Sequence, residues 1–290
     1  MDDGLRASRD DTMENLKGTD EFGLTELDHA IYERQIRLPG FGPEGQARLK
    51  NATVLISRVG GLGGTAAMMM ARAGVGRLVL AHDGVIEPEN LNRMQLAFRK
   101  DLGRPRTEVF RETLQMINPD LEVVTCTENV SDANARELFE GVDLVIDGAP
   151  LFEERRAMNK EAVRRGVPLV MAAMFALEGY LTVIEPGQTP CLECLYPETP
   201  PYWTIDVFPA IAASPVVIAT LGTMEGIKLL TGCGEVLRNR LLYFDLTDNS
   251  FRQLKVSRRP DCHVCGHLPW PEAVAAASPV LAAPTPLSSI

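Results

Sequence analysis

The sequence predicts an α/β protein, a Rossmann-like and mostly parallel sheet with helices on both faces. Three observations carry that prediction. Short β-rich runs alternate with helical ones between residues 53 and 147. A glycine-rich stretch, "SRVGGLGG", joins the first run to a helix of small residues. The later β-rich runs are spaced as antiparallel neighbours around one long helix. In chain order, "TVLIS" is the first strand and residues 62–73 the first helix of this alternation. "RLVLAHD" is the second strand, followed by a helix over 107–117. "LEVVTCTE" is the third strand, residues 133–139 are helical, and "DLVIDGA" is the fourth strand. "GYLTVIEPG" and "RLLYFDLTDNSFRQLKV" form an antiparallel C-terminal extension around a helix over 214–230. Residues 1–28 are polar, with little periodicity, and read as a mobile tail. Residues 29–270 read as one domain, and 271–290 as a disordered Ala/Pro-rich tail.

Composition narrows the function. A formal net charge of -10 argues against a nucleic-acid partner, which would call for a basic face. No apolar run approaches the roughly 20 residues of a membrane span, and the opening "MDDGLRASRDD" lacks the apolar stretch of a secretory signal. The expectation is a soluble, cytoplasmic protein without a membrane partner. Four of the six cysteines fall into two CxxC pairs, Cys191/Cys194 and Cys262/Cys265. Disulfides are unusual in such a compartment. Four thiolates on two CxxC turns are the tetrahedral set that structural zinc prefers, so a zinc knuckle is expected and a redox role for either pair is the weaker reading. Cys233 reads as a small packing residue.

Several motifs together resemble the MoeB/ThiF/HesA family, the bacterial relatives of ubiquitin-activating E1 enzymes. They are "YERQIRLPGFGPEGQARLKNATVLI", "GGLGG", "ARAGVGRLVL", "ENLNRMQ", "INPDLEV", "GTMEGIKLLTG" and "RRPDCHVCG", in family order over roughly residues 28–267. The resemblance implies ATP- and Mg²⁺-dependent adenylation of the C-terminal carboxylate of a ubiquitin-like sulfur-carrier protein or a related peptide. It also implies a dimer in which each site borrows an arginine from its neighbour. Adenylation makes chemical sense, because a carboxylate is a poor electrophile until it carries a good leaving group. The protein must then supply cations and backbone N–H groups to the phosphates.

Carried over residue by residue, the resemblance assigns Gly60, Gly61 and Gly63 to the phosphate loop. Arg93 and Arg106 become phosphate-binding groups, Arg106 standing where the family has lysine, and a planar fork is not equivalent to a compact ammonium. Arg34 becomes the arginine donated across the dimer. Three positions depart from the pattern. Arg58 replaces the first loop glycine and either pairs with phosphate or fills the nucleotide's space. His82 replaces the acid that holds the ribose, with Asp83 beside it as a substitute reachable through a local bulge. After the fourth strand the family reads approximately "DxTDN", whereas this chain reads "DGAPLF", so Pro150 stands where an aspartate would hold Mg²⁺. Asp147, three residues earlier, is not expected to reach the same point. Two functional readings follow: an adenylating protein, or a catalytically degenerate E1-like subunit that pairs with an active homologue and donates Arg34 in trans. Both place the chain in a homodimer or heterodimer. "YPETPPYWTIDVFP" reads as a flexible loop able to cover the site.

Overall fold

An eight-stranded mixed sheet organises the chain, in the order β3-β2-β1-β4-β5-β6-β7-β8. The computed structural model describes residues 18–200 and 209–269. The tail expectations for 1–17 and 271–290, and the middle of the "YPETPPYWTIDVFP" loop, lie outside these residues. The strands are β1 (Thr53–Ser57), β2 (Arg77–Ala81), β3 (Glu122–Cys126), β4 (Leu144–Asp147), β5 (Leu169–Phe175), β6 (Glu178–Ile184), β7 (Arg240–Asp245) and β8 (Ser250–Lys255). The first five run parallel, and β6, β7 and β8 add antiparallel. The predicted parallel sheet and antiparallel extension are thus both present.

The helices longer than one turn, among the described residues, are α1 (Glu26–Ile36), α2 (Gly42–Asn51), α3 (Gly61–Ala73), α4 (Arg106–Ile117), α5 (Phe152–Arg165) and α6 (Ala213–Thr231). All five residues of β1 are buried, which is why "TVLIS" is apolar without alternation. Val54 and Ile56 pack on one face with Ala66 and Met70 of α3, Phe110 of α4 and Ile218 of α6. Leu55 packs on the other with Met158 and Ala162 of α5 and the four CxxC cysteines.

The packed chain begins earlier than the expected boundary at residue 29. Thr25 Oγ1 accepts the Asp28 N–H, and the Asp28 carboxylate accepts the Thr25 N–H in return, closing a capping box at the start of α1. Asp28 also takes the Lys50 ammonium at 2.6 Å, tying α1 to α2. Gln35 and Gln46 both donate to the Ala73 carbonyl, so α1 and α2 are fixed against the end of α3.

Sequence patterning assigned no element to β5, α1, α2 or α5. "LVMAAMF" is a continuous apolar run, which fits a buried strand and a buried helix equally. The helix expected over 133–139 shrinks to one turn, Ala135–Leu138. One expectation needs correction: α6 spans 19 residues and, by length and composition, is apolar enough to cross a membrane. Here it lies across β4, β5 and β6 and against α3, burying Ile218, Ala219, Gly222 and Gly226. Its apolarity serves that double contact.

Candidate functional site

The sheet order reverses between β1 and β4. From β1 the chain winds outward through β2 and β3, then returns to lay β4 on the other side. Open α/β sheets bind ligands in the crevice at the carboxyl ends of the strands at such a point. A cleft of about 660 Å³ opens there, walled by the start of α3, the segment after β4, and the 89–94 loop. Ser57 Oγ, at the end of β1, accepts the Gly148 N–H after β4 at 3.1 Å and joins the two strand ends.

Gly60 and Gly61 line the cleft at the α3 N-terminus, where first-turn N–H groups have no helical acceptor and favour an anion. Gly61 has a packing reason as well. A Cβ there would meet Arg93 Cγ and Pro215 Cβ at 3.2 Å, so glycine lets Arg93 lie against the helix start. Gly63 does not line the cleft. Its Cβ would stand 2.6 Å from the Arg58 carbonyl oxygen, so this glycine seats α3 against the end of β1.

Among the described residues, four guanidinium groups line the cleft: Arg58, Arg93, Arg106 and Arg155. Arg58 has φ +54°, a left-handed conformation that explains why a glycine would suit its place. Its side chain binds Glu154 through two hydrogen bonds, Nε at 2.8 Å and Nη2 at 2.5 Å, and reaches Asp83 at 3.2 Å through Nη1. Arg106, the first residue of α4, donates to the Val85 carbonyl, His82 Nε2, Glu87 and Asn90. Arg155 is buried; it donates to the Ala149 carbonyl and Tyr180 Oη and lies 3.7 Å from Asp147. Arg93 differs from these three. Its Nη1 donates to the Glu89 carbonyl and Asn92 Oδ1, and it meets no carboxylate among the described residues.

The acids are arranged just as unevenly. Asp147 is 1% exposed, accepts the Ala149 N–H at 2.8 Å, and does not line the cleft. Burial pushes its carboxyl up to about 6 even though Arg155 opposes the shift. Pro150 occupies the cleft wall after β4, so no carboxylate among the described residues stands where the resemblance places the metal acid, and the described residues there do not fit Mg²⁺. Among the described residues, Glu89 is the one carboxylate-bearing residue of the wall, and it is exposed on the Pro88–Asn90 turn. His82 lines the cleft and is 4% exposed. Burial, then the Arg106 and Arg58 charges, hold its pKa down at about 3, so the imidazole is neutral and its Nε2 accepts from Arg106. Asp83 lies outside the wall, beside Arg58.

On the sheet face that carries Leu55 and α5, the two CxxC pairs converge. Cys191, Cys194, Cys262 and Cys265 are buried, with all four sulfurs within 4.8 Å of one another. Individual Sγ–Sγ separations are 4.0, 3.6 and 3.4 Å. Four sulfurs about 2.3 Å from a tetrahedral ion stand roughly 3.8 Å apart, so the set fits zinc. The Arg259 N–H donates to Cys194 Sγ at 3.4 Å, the kind of outer contact that steadies a thiolate ligand.

The ThiF family model matches residues 32–264, which takes in the sheet, the cleft and three of the four clustered cysteines. The chain belongs to the ThiF family. This ThiF protein is 43% identical over 248 residues to the heterocyst HesA protein of Trichormus variabilis, covering 85% of this chain and 92% of that one. It is 36% identical over 255 residues to the sulfur carrier protein adenylyltransferase of Thermus thermophilus, covering 84% and 92%. Its fold is similar to that of Escherichia coli MccB in a complex with MccA-N7isoASN, with a TM-score of 0.75 at 24% identity, covering 85% and 76%. The expected family and fold are therefore both present.

In this ThiF protein, Gly60, Gly61, Arg93 and Arg106 come together at the cleft, whereas Gly63 and Asp83 stand behind it. Arg34 is exposed on α1 and does not line the cleft. Sequence reasoning missed Arg155 and the partners Glu154, Glu87 and Asn90. Glu154 lies 96 residues from Arg58, and no local pattern announces a pair so distant.

Proposed function

We propose that this ThiF protein acts in ATP-dependent adenylation of the C-terminal carboxylate of a ubiquitin-like sulfur-carrier protein or a related peptide. The observation that carries the reading is Arg93. Its aliphatic stem lies against the open N-terminus of α3, its guanidinium lines the switch-point cleft, and no carboxylate among the described residues neutralises it. Donors fixed in this way suit a phosphate that gains charge as a carboxylate displaces pyrophosphate. The name of the Thermus relative supports the same chemistry. ATP supplies the leaving group. Gly60, Gly61 and Arg93 would hold its phosphates, and Arg106, already engaged by four protein acceptors, would shape the wall. The zinc cluster would brace the sheet face that carries α5 and take no part in the reaction.

A second reading has its own observation. Pro150 and the buried Asp147 leave the family's metal-acid position without a carboxylate, which favours an E1-like subunit that works through a partner. Leu27 and Ile31 are exposed one turn apart on α1, and Arg34 follows on the same side. That surface suits a second protomer, identical or homologous, into whose cleft Arg34 would reach.

Carrier-dependent exchange of labelled pyrophosphate into ATP tests both readings. Exchange by this chain with a purified ubiquitin-like carrier supports the first. Exchange only after an intact homologue is added, and lost with Arg34→Ala, supports the second. No exchange under either condition contradicts both.

A further inference from the structure

Among the described residues the cleft meets phosphate charge with four guanidinium groups and a single exposed carboxylate, Glu89. A magnesium–nucleotide complex needs an acid to anchor the ion. At the carboxyl end of β4 the wall is Gly148, Ala149 and Pro150, and Asp147 is turned into the core on Arg155 and the Ala149 N–H. Facing this acid-free wall are two guanidinium groups of different kinds. Arg93 has no carboxylate partner among the described residues. Arg58 lines the cleft from a left-handed residue, with its charge matched by Glu154 and Asp83. Its side chain keeps 18% exposure. A polyphosphate brings more charge and more acceptor oxygens than Glu154 and Asp83, so it competes for the same N–H groups.

We propose that the cleft binds a nucleoside polyphosphate in its magnesium-free form, with Arg93 and Arg58 in the role otherwise filled by a divalent ion. The inference rests on the nucleotide reading above and adds which ionic form of the ligand is taken. Magnesium removes two negative charges from ATP, so on a site where guanidinium outnumbers carboxylate the complex is the poorer ligand. Glu154 then acts as the resting counter-ion of Arg58, released when phosphate arrives.

The test is calorimetric titration of the full-length, zinc-loaded protein with ATP, first in magnesium-free buffer and then with excess Mg²⁺. Chelators are left out so that the zinc stays in place. Affinity without Mg²⁺ should equal or exceed affinity with it. A hydrogen bond to a charged group contributes about 1.5–3 kcal/mol, so Arg58→Gly should weaken metal-free binding by about tenfold. Glu154→Gln keeps Arg58 and frees it, and should tighten metal-free binding; zinc content and Tm report whether each variant folds. Binding that improves tenfold or more with Mg²⁺ overturns the inference, and loss of that gain in Glu89→Gln would identify the metal acid. Tighter binding by Arg58→Gly also overturns it, because Arg58 would then be a plug. Absence of binding in both buffers removes the nucleotide reading itself and this inference with it.

Discussion

The cysteine cluster packs under one face of the sheet and the cleft opens at the carboxyl ends of its strands, and they differ in how their charges are used. At the cluster, four ligands of one type converge in a buried pocket and leave a single task, binding one ion. At the cleft, Arg58, Arg106 and Arg155 are turned on the protein's own Glu154, Glu87 and Asp147, and Arg93 alone meets no acid among the described residues. A structural site is complete when its own groups satisfy one another around the metal. A reactive site keeps some groups unsatisfied for its ligand, and here that reserve is small.

The largest expected effect sharpens the first half of the contrast. Metal analysis should find about one zinc per chain, and Cys262→Ser should lose it. Because such binding energy is folding energy, the variant should lose about 5 kcal/mol or more, seen as a Tm drop of roughly 10–20 °C. A zinc-free, fully reduced protein of unchanged Tm would erase the distinction.

Next comes the buried pair beside the cleft. Asp147→Ala removes a buried carboxylate 3.7 Å from the Arg155 guanidinium, a loss of about 3–5 kcal/mol by urea denaturation. A loss under 1 kcal/mol would mean that the other partners of Arg155, Tyr180 and the Ala149 and Ala172 carbonyls among them, suffice for it.

The smallest effect is a pH dependence with two opposing parts. His82 is held at about 3, below its unfolded value. The unfolded chain therefore binds the extra proton, and stability from this site is lost as pH falls from about 6.5 toward 3. Asp147 is raised to about 6 and acts in the other sense, since the folded chain takes its proton first and gains stability as pH falls from about 6 to about 4. The two nearly cancel between pH 6 and 4. His82→Gln removes one of them and keeps an acceptor for Arg106. Relative to the parent, it should gain up to about 1.4 kcal/mol per pH unit across that window. Parallel curves for the two proteins would show that His82 is not held neutral.

The sheet was legible because its signals are local. "TVLIS", "RLVLA" and "DLVID" are buried aliphatic runs bounded by loop residues, and the CxxC spacing states its own chemistry. Helix α5 escaped because its start at Leu151 carries no side-chain cap and its "FEERRAMNKEAVRR" sequence is mostly charged. The cleft was half legible. Arg93 and Arg106 were found through motifs, and Pro150 and the remote Asp147 through a missing acid. The meaning of Arg58 was not, because it depends on Glu154 across 96 residues of chain. Gly63 shows the same limit: the fingerprint suggested phosphate, and packing against the Arg58 carbonyl is what requires it.

Equilibrium binding of labelled ATP to zinc-loaded parent and Arg93→Ala proteins, prepared in parallel, tests the account most directly. The account predicts saturable binding to the parent and about tenfold or greater weakening in the variant, with zinc content and Tm unchanged. Equal affinities, or no binding to the parent at any accessible concentration, would contradict it.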